Sequence, residues 1–189
     1  MQQIEPSPVP DVMEKLRSGF EDTDFISVPN AGLVLFWPFL PRFFENLELL
    51  TDKAFQDETA RNKAVCALQY LIDEDEAGLF EGVLTLNKVL CGIPQEDTVE
   101  LHLLSVDEKE IADSLLESVI ARGPLWKSLS IAGFRTAYLQ REGQLTTRDD
   151  HWLLRVEKAT HDITMEKLPW SFTVVKLPWM PEPLMVEWM

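Results

Sequence analysis

An α+β fold is what the sequence predicts: a mainly helical domain with a small antiparallel sheet at its C-terminal end. Three observations carry that expectation. Apolar residues recur at helical spacing through the middle of the chain, and beyond Gly143 the period changes to two. Five of the six tryptophans (Trp126, Trp152, Trp170, Trp179 and Trp188) fall in the last third. The tripeptide Leu-Pro-Trp occurs twice, at 168–170 and 177–179, with a short β-type run between. Proline fixes φ and withdraws a backbone donor, so each repeat should bound an element. An indole buries a large surface yet still needs a partner for its N–H, which suits a sheet pinned at its ends.

Taken in order, residues 1–25 read as a flexible tail, since Pro6, Pro8 and Pro10 alternate and favour an extended segment. The domain spans 26–189. Asn30 is a candidate N-cap for a helix reaching Leu49, which Pro38 and Pro41 should kink or split. Ala60, Ala64, Ala67, Leu68 and Leu71 mark a helix over 58–72, ended by the acidic run Asp73 to Glu76. Val83 to Gly92 reads as a short apolar helix with Asn87 and Lys88 on a polar edge. Val99, Leu101 and Leu103 alternate as in a strand. Ser105 and Glu108 match a capping box opening a helix to Ala121. Gly123 breaks it, Pro124 restarts another at the first helical position, and Gly143 is the expected C-cap. Strands are then expected over 152–157, 172–177 and 184–188.

Composition narrows the function. The 189 residues include 46% hydrophobic and 26% charged, which fits one globular domain. Net charge is −15, from 32 acidic against 17 basic residues, and no basic cluster is present to bind phosphates. That argues against nucleic acid and anionic membrane surfaces as partners. No apolar run approaches 18 residues, so no membrane span is expected. Cys66 and Cys91 form no CxxC and read as two reduced, buried thiols.

Motifs for chemistry are missing: the sequence has no GxSxG, Walker loop, GxGxxG or HExxH, and Asp73 to Glu76 lacks the spacing of a calcium loop. His151 and His161 stand beside Asp149, Asp150 and Asp162, the raw material for a His-carboxylate site. No serine or cysteine sits on a strained turn beside them. Arg135, Arg141 and Arg155 lie in apolar neighbourhoods of an acidic chain, where a guanidinium normally pairs with a carboxylate. No catalytic, metal or cofactor residue is expected.

Several ordered segments also resemble one known family. They are Asn30-Ala31-Gly32-Leu33-Val34-Leu35 with Pro38-Phe39-Leu40, and Leu86-Asn87-Lys88-Val89-Leu90-Cys91-Gly92. After them come Trp126, Ser130, Gly133-Phe134-Arg135 and Leu139-Gln140-Arg141-Glu142-Gly143, then Trp152 to Glu157, both Leu-Pro-Trp units and Val186-Glu187-Trp188. Together, over residues 26–189, they resemble the C-terminal region of the contractile injection system tape measure protein family. Phe36-Trp37 and Gly133-Phe134 stand where that family favours other apolar residues.

The resemblance implies a structural, non-enzymatic part in a bacterial phage-tail-like particle. It implies docking to tube, spike or baseplate, or assembly factors, in association with tube-length control. Such a protein would be cytoplasmic during assembly and then within the particle. Asn87, Lys88, Arg135, Arg141, Trp179 and Trp188 would be the partner-binding residues. Size limits a literal ruler: fully helical, the chain would reach about 280 Å, and folded compactly its radius of gyration is about 16 Å. The competing readings are a small hydrolase using His151 or His161, and a cargo protein carried in the tube.

Overall fold

The computed structural model describes residues 25–189, so the reading of residues 1–24 as a tail lies outside the described residues. Strand β1 (Ile26–Val28) leads into a 3-10 helix over Ala31–Phe39, and α1 follows at Leu40–Asn46. Two prolines set that division. Pro38 has no N–H for the helix ladder, and Pro41 sits in the first turn of α1, where none is needed. Ala31 to Phe36 are buried on every face. Gly32 permits this, because a Cβ there would lie 2.1 Å from the Tyr138 carbonyl oxygen.

A hairpin of β2 (Leu50–Thr51) and β3 (Ala54–Phe55) follows, turning through positive φ at Asp52 and Lys53. Asp57 caps α2 (Glu58–Ile72) by accepting the Ala60 N–H at 2.7 Å. Helix α3 (Thr85–Cys91) stops at Gly92, whose φ of 69° is the left-handed cap of a helix end. Helix α4 (Val106–Arg122) opens on the full capping box expected from Ser105 and Glu108. The helix expected from Pro124 does not form. Residues 124–129 turn instead, burying Trp126 completely against Phe134, Tyr138 and Trp170. Only then does α5 (Ile131–Phe134) begin, capped by Ser130, and it widens into a π turn over Arg135–Leu139.

Gly143 is not a helix cap but the first residue of β4 (Gly143–Arg148), which turns at Asp149 and Asp150 into β5 (His151–Val156). A 3-10 segment (Thr160–Lys167), β6 (Val174–Val175) and β7 (Leu184–Trp188) complete the chain. The larger sheet runs β1-β4-β5-β7-β6. It is mixed rather than wholly antiparallel, since β5 and β7 pair in parallel, with Leu154 opposite Val186. Residues 157–183 supply the long crossover that a parallel pair requires. Each Leu-Pro-Trp unit bounds an element, the first after the 3-10 segment and the second after β6. The α+β class stands, with one continuous core running from Val28 to Val186.

Candidate functional site

The residues singled out by sequence do not converge on one pocket. They form three internal clamps. In the first, the fully buried Asn87 donates from Nδ2 to the Val65 carbonyl at 3.1 Å and to Gln69 Oε1 at 3.3 Å. Its Oδ1 accepts from Asn30 Nδ2 at 2.8 Å. Asn30 therefore joins β1 and α3 through its side chain instead of capping a helix. Beside this network lies a cleft of about 340 Å³, lined by Gln69, Tyr70, Asp73 and Glu142 among others.

Lys88, also buried, aims its ammonium at Glu81 Oε1 (2.6 Å), the Asp97 carbonyl (2.7 Å) and the Gln95 carbonyl (3.3 Å). Three donors meet three acceptors, so the charge is satisfied inside the chain. The Lys88 hydrogen bond holds the Glu81 carboxyl below its ordinary value. Asn87 and Lys88 are thus not the surface contacts expected from the sequence.

The second clamp closes the end of α2. Arg135 donates from Nε to the Leu71 carbonyl (3.1 Å) and from Nη2 to that of Tyr70 (2.9 Å), while Gln140 donates to Ile72 (3.0 Å). These carbonyls are the ones a helix C-terminus leaves unpaired, and a cation there also suits the helix dipole. Arg135 lies over the Tyr70 ring and 3.5 Å from Glu74.

The third clamp fixes β7. Arg141 grips Asp162 with two bonds, of 2.6 and 2.8 Å, and Nη2 also reaches the Glu157 carbonyl. Trp188 donates its indole N–H to Asp162 Oδ2 at 2.8 Å and lies under the Arg141 guanidinium. Burial pushes the Asp162 carboxyl up, yet the bonds from Arg141, Trp188 and the Ala159 amide outweigh it and hold it below the usual carboxylate range. Trp188 is therefore half-buried and engaged, not a loose terminal side chain. Trp179 similarly donates to the Leu90 carbonyl at 2.8 Å and packs on Phe44 and Phe55.

The two histidines belong to different parts of the chain. His151 opens β5 with Nδ1 3.0 Å from the Asp149 carbonyl, and His161 Nε2 is 2.7 Å from that of Ala137. A carbonyl only accepts, so each of these nitrogens carries the proton. Asp162, the nearest carboxylate to His161, is committed to Arg141. Among the described residues, no group of three metal-ligating side chains comes together, and no helix is long and apolar enough to cross a membrane.

The sequence passes over one larger feature, a groove of about 840 Å³ between α1 and α4. Phe39, Phe43, Ile111 and Leu115 form part of its lining, with Arg42 and Arg122 beside them. Its signal was present in the helix pattern, but the pairing of α1 with α4 is not written in either segment.

The fold and its clamps define a compact α+β structural module whose conspicuous polar and aromatic residues tie distant segments together. The chain belongs to the contractile injection system tape measure protein family, whose model matches residues 2–188. No curated protein and no solved structure matches it. Family membership gives the chain a structural role within a contractile injection particle.

Proposed function

We propose that this domain is a docking module, meeting tube, spike or baseplate components or the factors that assemble them. It influences tube length through those contacts. The supporting observation is a tape measure family match over residues 2–188 on a chain whose longest helix among the described residues, the 17 residues of α4, spans only about 26 Å. A compact body of that size acts by occupying a position, not by lying along a tube.

Among the residues suggested by the sequence, Trp179 and Trp188 keep part of their surface open and are the ones available for contact. Asn87, Lys88, Arg135 and Arg141 serve that role indirectly, by holding the surface in shape. In-frame deletion followed by electron microscopy of purified particles tests the reading. Missing tubes, or tubes of dispersed length, are expected; particles normal in number and length would defeat it.

A further inference from the structure

The alternation over residues 99–103 predicts a strand, but the structure forms none there. From Thr98 to Ser105 the chain runs with no turn, bend or ladder. Two side chains bind its inner edge: Cys66 Sγ accepts the His102 N–H at 3.4 Å, and Glu76 Oε1 accepts that of Leu104 at 3.1 Å. In an extended chain the next amides point the opposite way. Those belong to Leu101 and Leu103, and among the described residues neither meets an acceptor. Their side chains also face out, 44% and 70% exposed, followed by Val106 at the mouth of α4. An anchored apolar segment whose outward amides find no partner among the described residues is a template for another chain.

The surroundings specify what that chain carries. From Gln95 through Asp113 stand seven acidic residues and one basic, Lys109, which is already paired with Glu76. Glu96, Asp97, Asp107 and Glu110 form no ion pair with any described residue, and Glu100 lies 3.9 Å from the His102 ring. A second copy would bring the same acidic rim against this one, and like charges so placed repel.

We propose that Leu101–Leu104 accepts an extended apolar segment with lysine or arginine on its flanks, from another protein of the particle, by strand addition. This rests on the docking function proposed above. Main-chain bonds to Leu101 and Leu103 supply affinity, and the acidic rim selects the partner.

Hydrogen exchange of the full chain, free and within purified particles, tests it. The Leu101 and Leu103 amides should exchange fast in the free protein and at least about tenfold slower in the particle, in keeping with the protection a formed ladder confers. Leu103→Lys, at an exposed position, should leave the fold intact and abolish the slowing. A photo-crosslinking residue placed at 103 should capture a basic-flanked segment of a different protein. Slow exchange of the Leu101 and Leu103 amides already in the free chain, or a crosslink to residues 1–24 or to a second copy, overturns the proposal. Protein present in particles with unslowed amides defeats this inference alone, whereas protein absent from every particle fraction defeats the docking function as well.

Discussion

Asp162→Asn probes the clamp on β7 most directly. The carboxylate accepts two bonds from Arg141, one from the Trp188 indole and one from the Ala159 amide. A carboxamide keeps the shape but has a single acceptor oxygen; even with that oxygen facing the three donors at Oδ2, Arg141 Nη1 meets an N–H instead of an acceptor. The Arg141 side chain is only 11% exposed, and removing one partner of a buried pair costs about 3–5 kcal/mol. For a chain of this size, 1 kcal/mol corresponds to about 2–4 °C in Tm, so a drop of roughly 10 °C is expected at pH 7. Circular dichroism melts, with tryptophan emission as a second probe, would read it.

The pH dependence adds an independent check on the same clamp. The folded pKa of Asp162 is depressed, so its stabilisation is complete above the ordinary carboxylate value of about 3.9 and fades as pH falls through the folded one. The gap between native protein and variant should therefore narrow in acid. A loss under about 2 °C at pH 7, well below the range for a broken buried pair, or a gap that ignores pH, would refute the clamp.

Three further outcomes are expected. Ser105→Ala removes the acceptor for the Glu108 amide and should cost about 1 kcal/mol in a denaturant titration. Gly92→Ala places a Cβ 2.4 Å from the Trp179 carbonyl at a left-handed φ, so it should cost more than the 1–2 kcal/mol typical of the backbone strain alone, measured the same way. Burial lifts both thiols, Cys91 further than Cys66, so neither should react with a disulfide reagent until denaturant is added, and Cys66 should react first as it is raised.

What the sequence made legible was local. Ser105 and Glu108 announce α4 because a capping box is complete within four residues, and the apolar spacing of Ala60 to Leu71 needs only its own turns. What stayed hidden was pairing across distance. Ile26 sits opposite Leu145, so β1 has no signal until β4 is known, and Gly143 reads as a helix end until Val28 is seen beside it. The parallel match of β5 with β7 depends on a crossover that no periodicity reports.

For the candidate contacts, Asn87 and Lys88 read as a surface edge because their types are polar. Their true partners, Val65, Asn30, Glu81 and two loop carbonyls, come from four separate segments. Arg135 and Arg141 were legible as ion-pairing residues, but not as the groups that close α2 and hold β7. Leu101 and Leu103 were the reverse: their alternation predicts a strand, yet none forms, because the segment has no neighbouring strand among the described residues to pair with.

The strand order has a consequence for synthesis on the ribosome. β7 lies inside the sheet between β5 and β6, although it is made after both. Trp37 bonds to Ser171 and Trp170 to Leu35, so the early 3-10 helix also waits for late residues. Until residue 188 has left the exit tunnel, β5 keeps one open flank and β6 has nothing to pair with. Such long-range closure makes folding slow and late, and it exposes an adhesive half-built sheet in the meantime. Shielding the nascent chain until β7 slides in would keep that half-built sheet from sticking to its neighbours.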